Sequence, residues 1–249
     1  MTREVRALAR RLSLRPADLA GARRAWRGPG RVVAVVGIGP AAAGRATELL
    51  LDALGAGRVL VVGIAGAVDP ALRVGDVLLP ELVVDRGTGN AYRSHRPRAR
   101  GVLVTSNAIG GNLAGGDGPG GGGDANGGGE ANGGGEALAT TVGGVVATEI
   151  AAGADLPGPA TAVDMETAAI AAACERRGVQ WSVVRTISDV PGTLDESVLE
   201  LVRPDGTLDV RAVARLLARR PGEMRHLARI GWDAAKALRA LTPAILREL

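Results

Sequence analysis

Residues 160–189 read ATAVDMETAAIAAACERRGVQWSVVRTISD, and this stretch decides the fold. Residues 160–163 and 180–187 are apolar runs rich in β-branched side chains, and 167–177 between them has helical periodicity. Strand, helix and strand in succession form a crossover unit, which places both strands in one sheet with the helix packed on its face. The unit also fixes where its carboxylates fall. Asp164, Met165 and Glu166 stand at the strand-to-helix junction, and Ser188 and Asp189 at the end of the following strand. In an open parallel sheet that edge is the ligand crevice, so Glu166 and Asp189 can converge on one small molecule. The competing reading is local: Asp164 or Glu166 caps the helix from Thr167, and Asp189 caps a later one.

Outward from this unit the same alternation recurs. Strands are expected at 31–37, 58–64, 76–84 and 101–105, and a helix at 41–54. VVAVV (32–36) and VLVVG (59–63) are apolar throughout, as suits strands covered on both faces by crossover helices. The expected fold class is α/β, a single doubly wound domain. Beyond Pro191 the pattern is helical at 194–201, 208–219 and 223–241, with breaks at Pro204-Asp205-Gly206 and Pro221-Gly222. Residues 4–12 and 16–25 are also helical in pattern, so the chain is expected to open without a strand. Between 110 and 136 glycine fills 15 of 27 positions, and GGGDAN, GGGEAN and GGGEAL follow one another at 121–138. Such a segment has little apolar area to offset its ordering entropy, which predicts a mobile surface insertion.

Two glycine clusters follow strands. Gly37-Ile38-Gly39-Pro40 has the outline of a phosphate-binding turn, but no acidic residue ends the next strand to hold a ribose, so tight strand-to-helix packing is the expected role. In GIAGAVDPALRVGDVLLPE (63–81), Gly63 and Gly66 let backbone approach a ligand at a strand's carboxyl end, and Gly75-Asp76 turns into another strand.

Composition narrows the function classes. The 249 residues are 46% hydrophobic but include only three Trp, one Tyr and no Phe, which argues against stacking platforms for nucleic-acid bases. Cys174 is the single cysteine, and His95 and His226 lack acidic or sulfur neighbours at ligand spacing, so no disulfide, metal or cofactor is expected. The longest apolar run, 59–68, contains two glycines and is too short for a bilayer core of about 30 Å. No membrane partner and a cytoplasmic location are expected. Net charge is +4, and all bases but Lys236 are arginines, without the motif of a nucleic-acid module. They read as solvated helix faces, with no nucleic-acid partner.

VVAVVGIGPAAAGRA (32–46), GIAGAVDPALRVGD (63–76), AVDMETAAIAAA (162–173) and VVRTISD (183–189), in this order, resemble the purine nucleoside phosphorylase and nucleosidase superfamily. The resemblance spans roughly residues 31–190. It implies a mixed central sheet flanked by helices, a purine nucleoside as substrate, and cleavage of the N-glycosidic bond through an oxocarbenium-like transition state. Asp189 would be the general acid at the base, Glu166 would accept hydrogen bonds from ribose hydroxyls, and Met165 would pack on the ribose. Ser188 would orient Asp189 or contact the base, and Ile64, Ala65 and Gly66 would border the substrate. In the superfamily's phosphorylases an Arg and a Ser flank the glycine of the second motif. Val61 and Ile64 stand there in this chain, which favours water over phosphate as nucleophile unless a cation such as Arg45 substitutes. Hydrolases of the superfamily use a glutamate after the first strand to position the water. That strand is expected to be missing here, and Glu4 is the candidate. The reading is a nucleosidase acting on a methylthioadenosine- or S-adenosylhomocysteine-like nucleoside. The alternatives are a nucleoside phosphorylase, the adenosylhopane type included, or a catalytically impaired nucleoside-binding protein. Relatives also imply a possible homo-oligomer.

Overall fold

The computed structural model describes residues 2–37, 39–95, 101–106, 160–190, 210–220 and 222–249. In chain order the elements are α1 (Thr2–Arg11), β1 (Arg15–Ala17), β2 (Arg24–Gly28), β3 (Arg31–Val35), α2 (Pro40–Leu54), β4 (Arg58–Ala67), β5 (Val77–Leu78), β6 (Leu82–Asp85), β7 (Ala91–Arg93), β8 (Val102–Thr105), β9 (Ala160–Asp164), α3 (Thr167–Arg176), β10 (Gln180–Asp189), α4 (Val210–Arg219) and α5 (Glu223–Leu246).

Seven strands form the central sheet in the order β5-β10-β4-β9-β8-β6-β7. Pairing is parallel for β10 with β4, β8 with β9 and β6 with β8, and antiparallel for β5 with β10, β4 with β9 and β6 with β7. The sheet is therefore mixed and the chain is of the α/β class. Side chains of β4 show why its sequence is apolar at every position after Arg58. Val61 and Ala65 join a cluster with Ala43 and Leu51 of α2 and Ala168 and Ala171 of α3. Leu60, Val62 and Ile64 pack against the cluster built on Leu8 of α1 and on Leu238, Leu241 and Ile245 of α5. A strand covered on both faces has no side to spare for polar residues.

The helix expected at 16–25 is replaced by strands. β1, β2 and β3 form a separate antiparallel sheet, with Arg24 opposite Val35 and Gly28 opposite Arg31. Pairing with the β-branched run of β3 outweighs the local helical pattern. Gly21 interrupts the segment at φ +84°, where an added Cβ would stand 2.9 Å from the Ala46 carbonyl of α2. The strand expected at 76–84 is divided by Leu79-Pro80-Glu81 into β5 and β6, because Pro80 has no N–H to give a ladder. α5 runs past its expected end, with Pro243 inside it. The expectations for 110–136 and 194–201 lie outside the described residues.

Candidate active site at the carboxyl edge of the sheet

Gly66 is the centre of the arrangement. It pairs with Asp189 of β10 on one side and with Val163 of β9 on the other. Neighbouring strands lie 4.7–4.9 Å apart, so the ends of β10 and β9 stand about 10 Å from one another across β4. The pairing of β10 slips between Ile187 and Asp189, leaving Ser188 as a bulge residue. A bulge re-aims the side chain beside it. Here Ser188 Oγ is 3.3 Å from the Ala65 carbonyl and donates to Asp189 Oδ1 at 2.6 Å.

Asp189 is 9% exposed. Burial pushes its carboxyl up to about 6, against the opposing pull of the Ser188 hydrogen bond, so the group holds its proton into mildly acidic solution. Among the described residues the Ser188 contact occupies only Oδ1 of the carboxyl.

At the β9–α3 junction two carboxylates two residues apart do different work. Asp164 is consumed by structure. Its Oδ1 accepts from Thr105 Oγ1 at 2.6 Å, and its Oδ2 accepts from the Thr167 amide at 3.1 Å, from Thr167 Oγ1 and from Arg185 Nη2. Thr105 Oγ1 in turn accepts from the Ala168 amide at 3.0 Å. The amino end of α3 is thereby satisfied by Asp164 and Thr105. Glu166, at the N-cap position itself, makes no side-chain cap. Its Oε1 instead accepts from the Gly39 amide at 3.1 Å, at the amino end of α2. Burial raises the Glu166 carboxyl above the ordinary carboxylate range, a tendency opposed by the Arg185 charge and by the Gly39 amide. Gly39 has φ +84°, and Pro40 follows it at the first position of α2, where a missing N–H costs nothing.

Arg185 is the hidden member. It projects from β10 into the sheet's interior, with its side chain 5% exposed and that of Asp164 2% exposed. Gly63 makes room for it: a Cβ added there would stand 1.9 Å from Arg185 Nη1. Nε of Arg185 has no hydrogen-bond partner.

The Phosphorylase superfamily model matches residues 20–108 and 141–220, more than half of the chain. The chain belongs to the Phosphorylase superfamily. It is accordingly an enzyme of the kind that cleaves glycosidic bonds of nucleosides. Among solved structures it is similar to Arabidopsis thaliana 5′-methylthioadenosine nucleosidase in apo form, with a TM-score of 0.57 and 13% identity over 98% of this chain and 91% of that one. It is also similar to a 5′-methylthioadenosine/S-adenosylhomocysteine nucleosidase from Colwellia psychrerythraea in complex with adenine, with a TM-score of 0.52 and 18% identity over 97% of this chain and 92% of that one. At these identities the likeness is one of fold. No curated protein sequence matches the chain.

Within this superfamily member the sequence-derived candidates fall into three groups. Asp189, Ser188, Ala65 and Gly66 meet at the ends of β10 and β4, while Met165 and Glu166 stand at the adjoining end of β9. Met165 is 9% exposed. Ile64 shares the edge only through its backbone, since its side chain packs toward α5. Glu4 lies on α1, and its side chain is outside the described residues. Arg45 is exposed on α2. Trp181 is fully buried at the opposite end of β10, where Nε1 donates to Glu175 at 2.7 Å.

Sequence reading missed three contributions: the Gly39 amide on Glu166, Thr105 on Asp164, and Gly63 as space for Arg185. The first has a signal in Gly-x-Gly-Pro after a strand, where packing alone is the expected role. Gly63, expected to give room to a ligand, gives room to the Arg185 side chain. Among the described residues no group of three His, Cys, Asp or Glu side chains is placed to hold a metal ion, and no helix is long and apolar enough to cross a membrane.

Proposed function

We propose that this chain is a nucleosidase that hydrolyses the N-glycosidic bond of a purine nucleoside of the methylthioadenosine or S-adenosylhomocysteine type. The observation that carries the reading is Asp189: a carboxyl buried at the sheet's ligand edge, kept protonated up to about pH 6 by its surroundings and aimed by Ser188. A leaving purine carries away the electrons of the C–N bond, and a proton delivered to the base lets it depart neutral. Asp189 is the donor of that proton. Positive charge builds on the ribose in the same step. Glu166 accepts hydrogen bonds from the ribose hydroxyls, which strengthen as that charge grows, and the Gly39 amide steadies its carboxylate. Met165, beside Glu166, packs on the sugar.

Water is the proposed nucleophile because Val61 and Ile64 occupy the places where related phosphorylases carry anion-binding side chains. Val61 is 5% exposed within the core. The same purine nucleoside chemistry needs no cofactor, and a cytoplasmic enzyme is the setting we assign to it.

The test is release of adenine from methylthioadenosine, S-adenosylhomocysteine and adenosine, each with and without millimolar phosphate, by the wild type and by Asp189→Asn. The expected result is phosphate-independent release that falls about 10²-fold or more in the variant. Dependence on phosphate would make the enzyme a phosphorylase, and no release from any of the three overturns the assignment. In the wild type, kcat/KM should decline as pH rises through about 6, where Asp189 loses its proton.

A further inference from the structure

α5 has two unlike sides. Ala234, Ala237, Leu238, Leu241, Ala244 and Ile245 recur at helical spacing on one of them, and all are buried. The opposite side carries Arg225, Arg229, Trp232, Lys236 and Arg239, all exposed, within an arc of about 80° at 3.6 residues per turn. From Arg225 to Arg239 the stripe runs about 21 Å along the helix. The two acids of α5, Glu223 and Asp233, are half-buried and lie off the stripe. Among the described residues one stripe base has an acidic neighbour: Arg229 stands 3.9 Å from Asp233. α4 packs against α5 and adds Arg215 and Arg219, both exposed.

Solvation accounts for the charges of this face and not for its ring. Trp232 is 64% exposed, in the middle of the stripe, with the Arg239 guanidinium 5.4 Å from its ring centre. Met224, 58% exposed, flanks the amino end of the stripe. We infer that this face of α5 docks on an anionic lipid bilayer, the helix lying in the membrane plane with its bases on the headgroups and Trp232 inserted between them. Charge complementarity selects the headgroups, since a row of bases on one helix face is drawn to a negatively charged leaflet. The amphipathic indole selects the interface, where its apolar body leaves water and its N–H stays wet. A nucleic-acid strand would meet the bases alone, whereas a bilayer meets the bases and gives Trp232 and Met224 an apolar layer as well.

The expectation of no membrane partner follows from the lack of a long apolar run. Lying on a surface requires no such run, because the apolar side of α5 stays on the protein. The stripe also adjoins the reaction edge. A Cβ added to Gly75 would stand 3.3 Å from Lys236 Cε, and the Gly75 amide donates to the Ile187 carbonyl at 2.8 Å, next to Ser188. The inference uses none of the residues assigned to catalysis, so it stands whether or not the chain is a nucleosidase.

The probe is large vesicles of phosphatidylcholine containing about 30 mol% phosphatidylserine, titrated against the full chain by co-sedimentation and by tryptophan emission. Trp26 and Trp181 are buried, so Trp232 reports the surface. We expect saturable binding with a blue shift, and neither with phosphatidylcholine alone. Each base near an anionic leaflet raises partitioning about fivefold, so Arg225→Gln/Arg239→Gln should bind about 25-fold more weakly. Arg176→Gln/Arg177→Gln removes the same charge at the end of α3, on the other face of the sheet, and should bind within about twofold of the wild type. Trp232→Ala should bind at least about threefold more weakly and lose the blue shift. Equal binding to neutral vesicles, equal losses in the two double variants, binding without a change in emission, or capture of a single-stranded oligonucleotide with none of the vesicles would each overturn the proposal.

Discussion

The two edges of β4 are built on opposite terms. Toward β10 the ladder runs from Arg58 to Gly66, and the space above it is filled by Trp181, Val183, Ile187 and the Asp164–Arg185 pair. Toward β3 the same residues border a cavity. The contrast teaches that, among the described residues, β4 meets its second partner strand only at its reactive end, at Gly66 and Ala67, and is paired on one side before it. On the β10 flank a buried polar network admits one geometry, because every unmet partner is costly there. On the β3 flank, among the described residues, β4 is held before Gly66 by the helices above and below it and not by a paired strand.

The comparison is most severely tested at Arg185. Arg185→Met leaves the Asp164 carboxylate buried without its cation, and loss of about 3–5 kcal/mol in urea unfolding is expected. Gly63→Ala should mimic it, because the added methyl competes with the guanidinium for the same space. If either substitution costs under about 1 kcal/mol, the network does not hold this flank.

Asp189→Asn separates chemistry from stability at the same edge. The folded-state value of about 6 lies above the ordinary aspartate value of 3.8, so the wild type binds a proton more tightly folded than unfolded. The stabilisation this gives is full below pH 3.8 and is lost as pH rises through about 6. Above pH 7 the native protein carries a buried ionised carboxylate at a cost of about 3 kcal/mol, as an upper figure. The Asn variant should therefore melt higher than the wild type at pH 8, with the gain shrinking toward pH 4, even as its turnover collapses. An advantage that is the same at both pH values would show that Asp189 is not buried as described.

The smallest effect sharpens the contrast between flanks. Leu103→Ala removes a side chain with 0% exposure from the packed interior, and about 3 kcal/mol is expected. Leu50→Ala, on the cavity wall, removes a side chain that already lacks neighbours on one side, and about 1 kcal/mol is expected. Equal losses would mean that the cavity between β3 and β4 is closed in solution.

What was legible in the sequence divides along the same line. The 160–189 unit gave its strands, its helix and the meeting of Glu166 and Asp189 at one edge, because apolar periodicity and strand direction determine them locally. The split of duties between Asp164 and Glu166 was only half legible. Spacing allows either to cap α3, and the choice depends on Thr105 and Arg185, which come from other strands. The helical pattern at 16–25 falls where β1 and the start of β2 form, because pairing with β3, itself expected as a strand, outweighs it and Gly21 owes its conformation to α2. The cavity between β3 and β4 was out of reach altogether, since a pattern of apolar residues says that a strand is covered and not by what.

Cys174 offers a built-in clock. It is fully buried on α3, the helix whose amino end carries Glu166, and burial pushes its thiol up to about 11. An aromatic disulfide reagent at neutral pH will find it inert until the helix leaves the sheet. The rate of labelling then counts openings of that helix one by one, with and without a nucleoside bound, and needs no introduced label.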